Sequence, residues 1–160
     1  MILNALTLIH VALSILGIGA GFAVVRGLLA SIPPYRGTTL FLSATAAASV
    51  TGFLFPFQGF TPAQVVGFLS LILVLFASLA IYRHNHADGW RRTFANTAVF
   101  ALYFNVFILV IQLFRKVPVL QAIAPTQSEP PVPVAQALVL VVFVAIAIRA
   151  VRKTRLVARG

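Results

Sequence analysis

The three histidines are the first residues to consider, because few side chains in this sequence can carry metal or redox chemistry. His10 falls inside the first apolar segment, whereas His84 and His86 follow the third. A b-type haem with two histidine ligands needs both at a similar depth, and these levels differ by roughly 20 Å at about 1.5 Å per residue. His84 and His86 beside Asp88 lack a further metal ligand. We therefore predict neither a cofactor nor a bound metal.

Catalytic carboxylates and thiols are also scarce. The sequence has two acidic residues, Asp88 and Glu129, and no cysteine. Neither acid falls within an apolar segment, so the buried carboxylates that proton-coupled carriers, pumps and many enzymes use are missing. The sequence contains no phosphate-binding glycine loop, nucleophile elbow or zinc-protease motif. We expect a protein that is not an enzyme.

Polar side chains in the fourth apolar segment are the candidates for ligand binding. Asn96 and Tyr103 share one face of a helix, and Asn105 and Gln112 share nearly the opposite face. Because an unsatisfied amide in hydrocarbon is costly, we expect both faces to meet protein. The fourth helix is then central, or one of its faces lies at a subunit contact. Together with His10, these four residues form the predicted ligand-binding set.

The composition indicates which solvent surrounds the chain. Its 160 residues are 61% hydrophobic and 9% charged, with a mean hydropathy of +1.04. A soluble domain has about 25% charged residues, so the polar groups here are too few to cover a surface in water. We predict one all-α domain, residues 1–160, in a lipid bilayer.

Five apolar segments separated by Pro, Gly and charged residues fit the length of about 20 residues that a spanning helix needs. We predict an integral membrane bundle with transmembrane helices at about 3–30, 38–57, 62–83, 92–114 and 133–155. Thr61, Pro62 and Gln64 predict a capping box at the start of the third helix. Residues 117–124 are apolar but too short to span, so we expect them to lie in the interface or to fold back onto the bundle.

The net charge of +10 predicts the orientation. All Lys and Arg other than Arg115 and Lys116 fall on the side shared by the first loop, the third loop and the C-terminus. Because cations collect in cytoplasmic loops, we predict a bacterial inner-membrane protein with a periplasmic N-terminus and a short basic cytoplasmic tail, and no nucleic-acid partner. The residues expected to meet lipid headgroups are Arg149, Arg152, Lys153 and Arg155.

Small residues mark predicted helix contacts. Gly17 and Gly21 are four apart in the first helix, and Ala44, Ala48 and Gly52 follow the same spacing in the second. Such stripes let helix backbones approach closely in lipid. They fit either packing within one chain or a dimer face.

Two segments resemble parts of small bacterial inner-membrane proteins that have no assigned activity. They are SVTGFLFPF at residues 49–57 and APTQSEPP at residues 124–131. The resemblance extends over most of the chain and implies a membrane location without an activity. The size and the number of spans are also similar to those of the translocator (tryptophan-rich sensory) proteins, but the single tryptophan, Trp90, argues against that family.

These observations lead to a leading function and two alternatives. We expect an accessory or self-associating membrane subunit whose partners are membrane lipid, other membrane subunits or further copies of itself. The first alternative is a small transporter or a bundle that binds lipid, quinone or another apolar ligand through the polar faces of the fourth helix. The second is a redox subunit that shares haem or quinone with a partner.

Overall fold

The computed structural model describes residues 2–31, 37–56, 61–83 and 88–157, with the side chains of residues 2, 88 and 154–157 outside that description. Helices make up almost all of this part of the chain, and it contains no strand. In chain order the helices are α1 (Ile2–Ala30), α2 (Thr38–Phe53), α3 (Pro62–Ser78) with a π-helical end (Leu79–Arg83), α4 (Asp88–Lys116), α5 (Pro118–Ile123) and α6 (Pro131–Val157).

Four of these helical segments are long and apolar enough to cross a membrane. They are Leu3–Ala30, Pro62–Arg83, Gly89–Lys116 and Pro131–Lys153. The remaining long helix, α2, has 16 residues, or about 24 Å, against about 30 Å for a bilayer core. The all-helical fold and its membrane character are confirmed, whereas a fifth span stays a prediction.

The second helix is shorter than predicted. It ends at Phe53, whereas the sequence led us to extend it to residue 57. Pro56 explains the difference, because it has no N–H for the carbonyl of Gly52 and its ring disfavours a helical conformation at Phe55. Residue 57 itself lies outside the described residues.

The fourth and sixth helices are longer than predicted. Helix α4 begins at Asp88 and ends at Lys116, whereas the sequence predicts a helix at about 92–114. Helix α6 runs over Pro131–Val157 in place of 133–155. Its two prolines, Pro131 and Pro133, lie in the first turn, where the N–H groups have no helical partner, so neither disrupts the helix.

The capping box at the start of α3 is confirmed. The Thr61 hydroxyl accepts the N–H of Gln64 at 3.4 Å, and the Gln64 side chain accepts the N–H of Thr61 at 3.2 Å. Pro62 occupies the first helical position. The two side chains therefore satisfy N–H groups that the helix leaves unpaired.

Helix α4 is the central element of the bundle. This is one of the two arrangements predicted from its polar faces. It packs against α1, α3, α5 and α6, while α2 packs against α1 and α3. Its core face carries residues that are fully buried, namely Phe94, Ala95, Ala98, Val99, Ala101 and Leu102. The alanines allow the surrounding helices to approach the α4 backbone closely.

The apolar segment at residues 117–124 folds back against α4. Pro118–Ile123 forms the short helix α5, and Ala124 is fully buried in a small cluster with Phe114 and Val132. Val119 and Ile123 are exposed on its other side. Of the two predicted arrangements, the packing of Ala124 fits a segment folded onto the bundle, and the segment connects α4 to α6 at one end of the bundle.

Candidate functional site

A polar contact joins three helices near the middle of the bundle. Asn105 Nδ2 on α4 donates a hydrogen bond to Thr45 Oγ1 on α2 at 2.9 Å, and Thr45 is fully buried. From α1, Gly17 faces the same hydroxyl, since a Cβ at this glycine would lie 3.3 Å from Thr45 Oγ1. The missing side chain at Gly17 thus lets α1 approach the pair.

His10 links α1 to the C-terminal end of α2. Its Nδ1 lies 3.0 Å from Thr51 Oγ1, and the Thr51 hydroxyl donates its proton to the Ala47 carbonyl at 2.8 Å. The Thr51 oxygen is therefore in contact with both His10 Nδ1 and a carbonyl of its own helix. The ring meets Phe55 edge to face at 5.5 Å between centroids, and a Cβ at Gly52 would lie 3.5 Å from His10 Cε1.

Tyr103 belongs to a different part of the bundle. Its ring centroid lies 5.8 Å from that of Phe143 on α6 and 5.4 Å and 5.9 Å from those of Phe104 and Phe107 on α4. Tyr103 therefore points towards α6, whereas Asn105 points towards α2. The aromatic cluster packs the α4–α6 contact.

Asn96 and Gln112 are both exposed. Within the single chain, protein does not cover these two amides, and a subunit contact over one face of α4 stays a prediction. The predicted ligand-binding set is accordingly divided, with His10 and Asn105 at separate positions along α2, Tyr103 against α6, and two amides at the surface. These five residues do not line one site.

The small residues of α1 and α2 lie inside the chain. A Cβ at Gly21 would be 2.7 Å from Leu102 Cδ1 and 2.9 Å from Phe41 Cε2. Ala44 and Ala48 are buried on α2. Together with Gly17 and Gly52, they line the approach of α1 to α2, and Gly21 also brings α1 against α4.

Gln136 is a polar contact that sequence reasoning missed. Its Nε2 donates to the Phe107 carbonyl at 3.0 Å and ties α6 to α4. Its Oε1 is buried and has no hydrogen-bond partner among the described residues. The available signal was that Gln136 is the only amide side chain between Pro131 and Val157.

A basic groove lies where the C-terminal ends of α1 and α6 meet. It is open, has a volume of about 370 Å³, and is lined by Leu29, Arg149, Arg152 and Lys153. The three cations are exposed. Arg155 lies further along α6, where the side chains are outside the described part of the chain. The predictions for His84 and His86 also fall on residues outside that part.

The cations of the described helices gather at the same end of the bundle as this groove. Tyr82 OH and Thr39 Oγ1 lie 2.8 Å apart, which brings the end of α3 to the start of α2. The described cations at this end are Arg26, Arg83, Arg91, Arg92, Arg149, Arg152 and Lys153. Arg115 and Lys116 end α4 at the other side of the bundle. The charge is therefore strongly polarised along the helix axes.

No protein-family model matches this chain, and neither a curated protein nor a solved structure is significantly similar to it. The resemblance to small bacterial inner-membrane proteins stays a prediction.

Proposed function

We propose that this chain is a multi-pass membrane protein that acts through contacts within the bilayer, as an accessory or self-associating subunit without catalysis. The observation that carries the proposal is that most of each apolar spanning helix lies on the outer surface of the chain and not in its interior. Only 17% to 28% of each spanning window is buried inside the chain, which leaves wide apolar sides for lipid and for other helices.

The interior polar groups support a structural role. The Asn105 amide donates a hydrogen bond to the Thr45 hydroxyl, and His10 Nδ1 lies within hydrogen-bond distance of the Thr51 hydroxyl. In hydrocarbon such pairs hold helices together, because each partner would otherwise be unsatisfied. Side chains engaged in this way stabilise the bundle by joining its helices.

We further propose that five helices cross the membrane, with α2 as the fifth. The α1–α2 contacts pair Gly21 with Phe41 and Gly52 with His10, so these helices are antiparallel. A Cβ at Gly67 would lie 3.5 Å from the Phe53 ring, and Thr39 meets Tyr82 near the other end of α2. Helix α2 therefore links the end of α1 to the start of α3 across the bundle, despite its 16 residues.

The charge distribution supports the orientation. With the basic end in the cytoplasm of a bacterial cell, the N-terminus lies in the periplasm and the C-terminus in the cytoplasm. The turn before α6 then faces the periplasm, together with Arg115 and Lys116.

The transporter or ligand-binding alternative has less support. It relies on His10, Asn96, Tyr103, Asn105 and Gln112 acting together, and the structure distributes them over separate faces. A carrier needs its polar groups to converge on one path through the bundle. A shared haem or quinone would likewise need a partner that supplies further ligands, since His10 is the only histidine whose side chain lies in the described part of the chain.

The test is the stoichiometry of the protein in its own membrane. Two copies with different tags are co-expressed and extracted in a gentle non-ionic detergent. Native mass spectrometry then measures the mass of the extracted complex. We expect a complex of fixed composition that contains both tags or one further membrane protein. As a control for association in detergent, the two tagged copies are expressed separately and mixed only after extraction. A chain that is monomeric and without a stoichiometric companion would overturn the proposal.

A further inference from the structure

The basic groove at the ends of α1 and α6 belongs to a chain with few acidic residues to balance its cations. The sequence has 12 Lys and Arg but only two acidic residues, Asp88 and Glu129. Glu129 precedes the first turn of α6, whereas Arg149 lies about 30 Å further along the helix axis. Two acidic side chains cannot neutralise twelve cations, and Glu129 is too far along α6 to reach the groove.

The three cations of the groove converge because of their spacing. Arg149, Arg152 and Lys153 are at i, i+3 and i+4 on α6, which places them on one face of the helix. Leu29 on α1 forms the apolar side of the groove. The volume of about 370 Å³ is within the range of roughly 300–1,000 Å³ that small-ligand sites occupy.

This lining fits an amphiphilic ligand with a phosphate. Guanidinium groups match phosphate oxygens with two parallel hydrogen bonds, and the Lys153 ammonium adds a point charge. A soluble phosphate would gain nothing from Leu29, whereas the first methylenes of an acyl chain would be removed from water there. The groove also lies at the end of apolar helices, at the level where headgroups occur if those helices span a bilayer.

We propose that this groove binds one anionic glycerophospholipid, with its phosphate held by Arg149, Arg152 and Lys153 and its upper acyl chain against Leu29. Basic pockets between helices at the cytoplasmic side are a known form of headgroup site. The inference goes beyond the accessory role and does not depend on it, since a monomeric chain offers the same groove.

The test uses the full chain in a non-ionic detergent, with native mass spectrometry to count bound lipid during titration with phosphatidylglycerol or phosphatidylcholine. The chain supplies a matched pair of variants. Arg152→Gln with Lys153→Gln removes one Arg and one Lys near the end of α6, and Arg115→Gln with Lys116→Gln removes the same charges from the end of α4. Because these side chains are exposed, circular dichroism should show that both variants fold normally.

We expect wild type to bind phosphatidylglycerol at least about tenfold more tightly than phosphatidylcholine. The α6 variant should lose about 25-fold in affinity for phosphatidylglycerol, at about fivefold for each cation near a headgroup, and the α4 variant should lose less than about threefold. An excess of glycerol 3-phosphate should leave the lipid bound.

Three results would overturn the proposal. Equal losses in the two variants would mean that the positive charge at any helix end attracts the anionic lipid without a specific site. Equal binding of the two lipids would exclude recognition of the anionic charge. Displacement of the lipid by glycerol 3-phosphate at comparable concentration would assign the groove to a soluble phosphate.

Discussion

Asn105 on α4 and Thr45 on α2 are sixty positions apart in the sequence, and a 2.9 Å hydrogen bond joins them. The Thr45 hydroxyl is fully buried in the bundle, so water cannot replace the Asn105 amide as its partner. Bonds of this kind in membrane proteins contribute on average about 0.6 kcal/mol and up to about 1.7 kcal/mol, because separated helices also find partners. The contact therefore stabilises the position of α4 modestly.

The first prediction concerns this bond. Asn105→Leu should lower the free energy of unfolding in detergent by about 0.6–1.7 kcal/mol. Asn96→Leu is the matched control, because Asn96 is an exposed amide on the same helix and should leave the stability unchanged. Thr45→Val removes the other partner, and the double variant should lose less than the sum of the two single losses, as expected when both substitutions break one interaction.

Two outcomes of that experiment would contradict the assignment. Additive losses in the double variant would show that Asn105 and Thr45 act independently. A loss far above about 2 kcal/mol at Asn105 would show that it does more than donate one interhelical bond. If a ligand response is found for this protein, Asn105→Leu should leave it intact.

The second prediction concerns two glycines of α1. A Cβ at Gly21 would lie 2.7 Å from Leu102 Cδ1 and 2.9 Å from Phe41 Cε2, and both of these side chains are fully buried. We expect Gly21→Ala to destabilise the protein by about 1–3 kcal/mol through overpacking. Gly19→Ala should be neutral or slightly stabilising, because nothing lies within 4 Å of the added methyl group and alanine favours a helix. Thermal unfolding of the two variants side by side measures the difference, and equal stabilities would refute the described packing of α1.

Sequence reasoning succeeded where a local signal sets the structure. The length of the apolar segments predicted the long helices, and Thr61 with Gln64 predicted the capping box, since both residues act within one turn. It placed the end of α2 too late, at about residue 57, because Pro56 marks the end of the segment but also takes the residue before it out of the helical conformation. Such ends depend on a few residues, and the average hydropathy of a segment does not locate them.

The polar faces of α4 show why the interior contacts were harder to predict. Helical periodicity relates Asn96 to Tyr103 and Asn105 to Gln112, but it does not fix the rotation of α4 against its neighbours. That rotation is set by Ala95, Ala98 and Leu102, whose face fills the core. Asn105 consequently meets Thr45, whereas Asn96 and Gln112 turn outward. The partner of an interhelical hydrogen bond depends on the packing of both helices, which the sequence of one helix does not contain.

The third prediction tests the orientation of the bundle. The chain has no cysteine, so single cysteines can be labelled without background. Ser128 is exposed in the turn before α6, and Gly89 is exposed near the start of α4 with open space around its Cβ position. In whole cells an impermeant thiol reagent should label Ser128→Cys and should label Gly89→Cys only after the membrane is permeabilised. The opposite pattern would reverse the topology, and labelling of both sites in intact cells would show that α4 does not cross.

The last prediction concerns the turn that contains Ser128. The Thr126 N–H and the Thr126 hydroxyl both donate to Glu129 Oε1, at 3.1 Å and 2.8 Å, and Gln127 adopts a left-handed conformation with φ 67°. Partial burial of the carboxyl raises the pKa of Glu129, but the hydrogen bonds from Thr126 and from the backbone at positions 128 and 129 outweigh it and hold this pKa below its ordinary value of 4.5. The ionised carboxylate is therefore the form that organises the turn.

A depressed pKa in the folded state means that Glu129 contributes stability above its unfolded pKa and loses it as the pH falls through its folded pKa. We expect wild type to lose stability as the pH is lowered from about 6 to below the ordinary pKa of 4.5, because the folded carboxylate takes up a proton only below that value. Glu129→Gln cannot ionise, so its stability should change less over that interval, and at about pH 6 it should be the less stable protein. Thermal unfolding of both proteins across this range gives the comparison. Asp88 is the only other side-chain carboxyl in the chain, and it is present in both proteins, so its titration cancels in the difference. Parallel curves for the two proteins would show that the Thr126–Glu129 contact does not stabilise the turn.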